Sequence, residues 1–290
     1  MVINEITDQE ILNYIKQLNC NKSTKSTCIP VKFIKLAADI IAPTIALIFN
    51  KCIQQGIFPN QLKSAEIIPV FKKGDKLKLH NHRPINLLPP FSKLFERHLH
   101  KELSNWINKY NLLYQYQYGF RRNSSTEQAI TQITEEISTN MQDGYTTCSV
   151  FVDLAKAFDT INHNILLAKM YKYGIRGLSA KLLQSYLTNR VQITKINNKF
   201  SSIQQVTCGV PQGSILGPLL FNLYINDLPK ASKFSIRLFA DDACLTLRHK
   251  NPDTLESLIN QELNTVNNWM SINKLSVNYT KTNYVVFTKK

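Results

Sequence analysis

The chain has 290 residues, enough to bury a substantial core as one large domain or two modest ones. A composition 43% hydrophobic and 19% charged excludes a disordered polymer. The 35 Lys and Arg against 20 Asp and Glu leave a formal charge of +15, which favours a polyanionic partner, whether nucleic acid or an anionic membrane. Six cysteines with no CxxC pair favour a reduced intracellular compartment, and the N-terminus, with an acid at Glu5, carries no signal-like apolar core.

Helical spacing over Glu10 to Leu18 predicts the first helix, followed by the polar stretch 19–27. Pro30 opens a second helix, and the apolar run Ile40 to Phe49, too short for a bilayer and interrupted by Pro43, predicts a buried one. Ala65 to Phe71 has the character of a strand, with a basic turn at Lys72-Lys73-Gly74-Asp75. A helical region follows Pro89-Pro90, and Ser125 to Gln128 marks another helix start ahead of Ile130, Ile133 and Ile137. Cys148 to Leu154 predicts a strand, Ile161 to Tyr173 a helix ending at Gly174, and Ser179 to Leu187 another helix. Strand periodicity returns at Val191 to Ile196 and Ser202 to Val206. A helix over Ile215 to Ile225, a strand-turn-strand unit and a helix over Leu255 to Trp269 complete the chain. No internal repeat is present, and a mixed sheet packed with helices satisfies the pattern.

Asp241 and Asp242 sit between the apolar runs Leu238-Phe239-Ala240 and Ala243-Cys244-Leu245. A buried ionised carboxylate costs several kcal/mol, as an order of magnitude, unless it is paired or bound to a cation. Asp153 ends a third apolar run, so the three acids together predict a carboxylate cluster built from separate strands. In that reading Asp241 faces Asp153 across adjacent strands and Asp242 is peripheral. Magnesium suits such a site, because it accepts carboxylates, waters and substrate phosphates. Two such ions can activate a primer hydroxyl and stabilise departing pyrophosphate, so the reaction predicted is template-directed nucleotidyl transfer.

Other groups fit that chemistry. Phe158 can form an aromatic wall that excludes a ribose 2′-hydroxyl, while Asp159 can cap the following helix. The Gly209 to Pro218 turn allows close backbone approach, with Gln212 and Ser214 as polar contacts, and lacks the ending of a Walker loop. Lys72, Lys73 and Arg83 predict a triphosphate-binding group. Arg121 and Arg122, following Tyr116 to Phe120, predict an aromatic-basic track for the template backbone. Lys281 can approach the phosphates, donate a proton to pyrophosphate, or simply face solvent. His80, His82, His98 and His100 lack cysteine or carboxylate partners for zinc and read as solvent-facing.

Several separated blocks resemble, in order, the reverse transcriptase domain of non-LTR retrotransposons, especially the jockey-like group. They are Ile67 to Asp75, Arg83 to Leu88, Tyr118-Gly119-Phe120-Arg121, Asp153 to Asp159, Gly209 to Pro218, Phe239 to Asp242, and Leu275 to Thr282. The resemblance implies an α+β right-hand polymerase, with palm and fingers, a small mixed or antiparallel palm sheet, and a thumb that is absent or truncated. It divides the chain into a helical extension and fingers edge at 1–64, fingers and template contacts at 65–145, and a palm interleaved with the fingers at 146–290. It implies an RNA-directed DNA polymerase with RNA template, DNA primer and deoxynucleoside triphosphates as partners, no membrane, and two Mg2+ ions for which Mn2+ can substitute. Asp153, Asp241 and Asp242 correspond to the catalytic metal-site residues, Phe158 to the sugar gate, and Lys72, Lys73 and Arg83 to the fingers residues at the nucleotide. Arg121 falls in the template-contact block and Lys281 in the later palm motif. An intracellular location follows, nuclear during target-primed synthesis.

Two departures from the pattern stand out. Lys25 to Pro30 lacks the usual Gly-x-Asp, and Ala243-Cys244 replaces a region where threonine is common. With the chain ending soon after Lys281, the expectation is a partial copy without endonuclease or thumb. A catalytically inactive nucleic-acid-binding remnant is the competing reading, whereas Phe158 disfavours an RNA-making polymerase.

Overall fold

A computed structural model describes residues 1–21 and 23–289. The side chain of His80, one of the histidines weighed for zinc, lies outside the described set. In chain order the helices are α1 (Asp8–Lys16), α2 (Val31–Leu36), α3 (Ala38–Gln55), α4 (Pro90–Lys109), α5 (Thr126–Gln142), α6 (His163–Lys172), α7 (Gly177–Leu187), α8 (Gly217–Ile225) and α9 (Pro252–Ile272). The strands are β1 (Ser64–Phe71), β2 (His82–Leu87), β3 (Thr146–Asp153), β4 (Arg190–Ile196), β5 (Lys199–Phe200), β6 (Gln204–Val206), β7 (Ser235–Phe239), β8 (Asp242–His249) and β9 (Asn283–Phe287). The α+β class is as expected. The chain divides into two compact units, Met1–Tyr110 with Leu166–Leu219, and Asn111–Ile165 with Leu220–Lys290.

The first unit carries a mixed sheet in the order β2-β1-β4-β5, with β6 also on β4. β1 pairs antiparallel with β2, to which the basic connection 72–81 joins it, and parallel with β4, which returns after a long helical excursion. Its helical side packs on stacked rings: Phe95 lies 4.4 Å from Phe49 and 5.2 Å from Phe58, and Phe58 meets Tyr186 edge-on at 5.1 Å. Thr7 opens α1 with a capping box to Glu10.

Two expectations for this unit are corrected. The apolar run in α3 is two-faced rather than buried: Ala42, Ile45, Ala46 and Phe49 are inside, while Ile40 and Leu47 are 82% and 58% exposed. Helical period turns successive apolar residues to opposite sides, so an unbroken apolar run cannot be buried by packing on one side alone. His98 is buried, not solvent-facing, and its Nε2 lies 2.8 Å from the Asn4 carbonyl oxygen. Among the described residues, no helix is long and apolar enough to cross a membrane.

The second unit carries a four-stranded antiparallel sheet in the order β7-β8-β3-β9. Val150, Val152, Leu238 and Leu245 supply its buried apolar positions. On β3 and β8 the hydroxyls of Ser149 and Thr246 meet at 3.1 Å, so polar groups inside the sheet satisfy one another. α5 begins where a helix start was expected, and Ser125 and Gln128 close a capping box there. Asp159 does not begin α6. Asn162 takes that place, its Oδ1 accepting from the Ile165 amide at 3.1 Å, because α6 starts two residues later than expected.

Candidate active site

The acid pair is built by a hairpin. β7 and β8 pair up to Phe239↔Asp242, which leaves Ala240 and Asp241 as a two-residue loop. Ala240 takes φ +56, a left-handed conformation that a side chain disfavours. On the other edge of β8, β3 pairs in the register Asp153↔Asp242. The expectation that Asp241 would face Asp153 across adjacent strands is therefore corrected: Asp242 is the partner across the ladder, and Asp241 stands in the loop. The reason is local, since the loop consumes Ala240 and Asp241 before β8 begins.

A second segment ties down the end of β3. Leu154 bridges Val277, the Ala155 amide donates to the Ser276 carbonyl at 2.8 Å, and the Asn278 amide donates to the Asp153 carbonyl at 2.8 Å. This brings Asn278 Nδ2 to 2.8 Å and Lys281 Nζ to 3.2 Å from Asp153 Oδ2. Lys281 is more than half exposed and pairs with Asp153, an engagement the sequence reading did not include. Partial burial, then the charges of Asp241 and Asp153, push the Asp242 carboxyl above its ordinary range, while Lys281 pulls it back.

Among the described residues, no three His, Cys, Asp or Glu side chains converge as a ready-made metal cage. The donor set nevertheless fits a hard divalent cation. It consists of carboxylate oxygens whose mutual repulsion is opposed at Asp153 by a single ammonium. Beside the acids runs a cleft of about 430 Å³, lined by Ile130, Ile133, Phe151, Asp153, Asp242 and Lys281 among others.

The remaining candidates of this unit have defined surroundings. Phe158 stacks on the buried Phe221 at 4.9 Å and meets Phe120 edge-on at 5.9 Å. Arg121 donates to the Tyr114 carbonyl at 3.2 Å, so its guanidinium ties its own loop, while Arg122 is exposed. Arg237 pairs with Glu136 at 3.0 Å and lies 3.9 Å over the Tyr116 ring. Sequence reasoning singled out neither Gln117 nor Asn278 as an individual residue. Asn278 Nδ2 donates to Asp153, Gln117 Oε1 accepts from the Ala240 amide next to Asp241, and no spacing rule reports contacts over such sequence distances.

In the other unit, Lys72 and Lys73 occupy the turn after β1, and Arg83 lies on β2 opposite Val70. All three are exposed on one hairpin. The loop bearing Gln212 abuts the same hairpin: the Asn86 amide donates to the Gln212 carbonyl at 2.9 Å. Gly213 has φ +112, and a Cβ there would stand 3.1 Å from the Asn86 carbonyl oxygen, so glycine is needed for this approach. The structure thus groups Lys72, Lys73, Arg83 and Gln212 within one unit, and Asp153, Asp241, Asp242, Phe158, Lys281, Arg121 and Arg122 within the other.

Comparison with known proteins gives a consistent picture. The family described as "Reverse transcriptase (RNA-dependent DNA polymerase)" matches residues 70–289. The chain is 30% identical over 303 aligned residues to "Probable RNA-directed DNA polymerase from transposon BS" of Drosophila melanogaster, covering 99% of this chain and 33% of that protein. It is 32% identical to "Probable RNA-directed DNA polymerase from transposon X-element" of the same fly, covering 85% and 28%. It is 27% identical to "RNA-directed DNA polymerase from mobile element jockey", also of that fly, covering 99% and 32%. The chain therefore spans about a third of the length of these relatives.

Proposed function

We propose that this chain, which belongs to the reverse transcriptase (RNA-dependent DNA polymerase) family, extends a DNA primer on an RNA template as the polymerase portion of a non-LTR retrotransposon. The observation that carries the reading is the placement of acids at one end of an antiparallel sheet. Asp153 and Asp242 are register partners, and Asp241 lies in the adjoining loop. In this reading the unit holding that sheet is the palm, and the unit holding Lys72, Lys73, Arg83 and Gln212 belongs to the fingers.

Asp153, Asp241 and Asp242 would hold the divalent cations, magnesium or manganese. When bound, these lower the pKa of the primer hydroxyl and offset charge on the leaving pyrophosphate. The protein's own groups do the rest. Lys72, Lys73 and Arg83 neutralise the triphosphate, and the Gln212 loop approaches the nucleotide through its backbone. Lys281, beside Asp153, orients that carboxylate and can supply a proton to pyrophosphate. Arg121 and Arg122 offer positive charge to the template backbone. The partners are RNA template, DNA primer and deoxynucleoside triphosphates, met in the nucleus during target-primed synthesis.

The test is extension of a DNA primer annealed to an RNA template. Template-dependent products that need Mg2+ and disappear with chelator are expected. A folded, template-binding chain that extends nothing would instead favour a noncatalytic remnant, a reading to which the engagement of Asp153 by Lys281 and Asn278 lends some support.

Phe158 gives a second, sharper check. Its ring is braced by Phe221 and Phe120, so it cannot swing away from a sugar without repacking its neighbours. Phe158→Ala is expected to raise ribonucleotide incorporation relative to deoxynucleotide incorporation by on the order of ten- to a hundredfold. Unchanged sugar discrimination in single-nucleotide kinetics would remove Phe158 from the gate.

A further inference from the structure

Residues 116–118 run beside β7 through one isolated parallel bridge. The Leu238 amide donates to the Tyr116 carbonyl at 2.9 Å, the Tyr118 amide donates to the Leu238 carbonyl at 2.8 Å, and Gln117 bridges Leu238 in parallel. This brings Gly119 against the loop that carries Asp241. A Cβ at Gly119 would overlap the Ala240 nitrogen and stand 2.8 Å from the Phe239 carbonyl carbon, so no side chain fits. The Gly119 carbonyl is held in turn by Asn222 Nδ2 at 2.9 Å.

Gln117 closes the arrangement. Its side chain is 2% exposed, and its Oε1 accepts both the Gly119 amide at 2.8 Å and the Ala240 amide at 3.2 Å. Both donors are backbone N–H groups, so the orientation of the side-chain amide is forced. The Nε2 of Gln117 is buried without a partner, a penalty that an apolar side chain would avoid. The acceptor atom is therefore what a glutamine contributes here. It holds Ala240, the one residue of the loop with a left-handed backbone, immediately before Asp241.

From this geometry we infer that Gln117 is a positioning residue for the catalytic loop, fixing Asp241 through the Ala240 amide and the close approach of Gly119. The inference rests on the polymerase reading for its effect on rate, but not for its effect on the loop.

Gln117→Leu is expected to lower kcat for nucleotide addition on the order of a hundredfold, the scale of a displacement of about 1 Å at a reacting group. KM for the nucleotide and template-primer affinity should stay within about twofold, since no substrate contact is lost. Hydrogen exchange at the Ala240 and Gly119 amides should accelerate while the β3–β8 ladder keeps its protection. Adding Ala240→Gly, which removes the left-handed strain, should recover about tenfold of the lost rate. Gly119→Ala should mimic the loss if it folds, and Gln117→Leu decides the matter if it does not.

Unchanged exchange at Ala240 in Gln117→Leu would overturn the inference. So would parallel loss of kcat, affinity and global stability, or a double variant no better than the single one. Should the wild-type chain prove inactive, the polymerase reading fails, and exchange at Ala240 still decides whether Gln117 clamps the loop.

Discussion

Asp153→Asn is expected to reduce RNA-templated nucleotide addition on the order of a thousandfold or more while leaving the fold intact. Asparagine keeps the shape and one oxygen of the side chain but removes a full negative charge from the cluster. The register partner Asp242 and the loop residue Asp241 cannot replace that charge, because Asp153 alone stands at the end of β3. Stability should change by about 1 kcal/mol or less, since the Asp153 carboxylate is only part-buried and its pair with Lys281 is exposed to solvent. Single-nucleotide addition across a Mg2+ titration, with thermal melts of both proteins, makes the measurement. An Asp153→Asn enzyme within threefold of wild type at all metal concentrations would rule out the carboxylate as a cation ligand.

Glu96→Ala is expected to be among the most damaging core substitutions for stability. Glu96 lies on α4, fully buried, and its Oε2 accepts the Ile215 amide at 2.7 Å, while Ser92 Oγ donates to Oε1 at 3.0 Å. Burial pushes the Glu96 carboxyl up, and the Arg190 charge and the Ile215 amide pull it back. Arg190 is itself buried, 4.9 Å over the Tyr186 ring, with Nη1 donating to the Tyr186 carbonyl at 3.0 Å. Truncating Glu96 leaves the Ile215 amide without its acceptor, Ser92 Oγ without its partner, and a cavity in the core. The cost should be about 2–4 kcal/mol, from the lost hydrogen bonds and the cavity, with a corresponding fall in Tm.

The same carboxylate holds the loop that presents Gln212, so nucleotide KM should rise with the loss of stability. Glu96→Gln, which keeps an acceptor, should lose less. Chemical denaturation separates the two variants. A Glu96→Ala protein within about 1 kcal/mol of wild type would show that the carboxylate does not support the loop.

The parts legible beforehand are those governed by near neighbours in sequence. The β3 strand lies within two residues of its expected bounds, and a strand-turn-strand unit around Asp241 and Asp242 and a helix start at Ser125 stand where the sequence predicts them. Alternation, turn chemistry and capping are local, so they survive without knowledge of the fold. β2 and β9 carry no clear strand pattern in the sequence. β2 contains Pro84 and is half-polar, and β9 is an edge strand with Tyr284 and Val286 exposed. Both exist because a neighbouring strand offers a ladder, which is a tertiary fact.

Residue chemistry and order along the chain singled out three acids among apolar runs, a basic segment around Lys72 and Lys73, and a glycine-proline loop. They did so because a run of acids among apolar residues has few physically tolerable explanations. Only the tertiary structure decided that Asp242 rather than Asp241 lies opposite Asp153, since a two-residue loop sets the register. It alone decided that Lys281 and Asn278 reach Asp153 across more than a hundred residues, and that Gln117 and Gly119 abut Ala240. Such contacts arise from the packing of distant segments, whose spacing along the chain carries no trace of the distance between them in space.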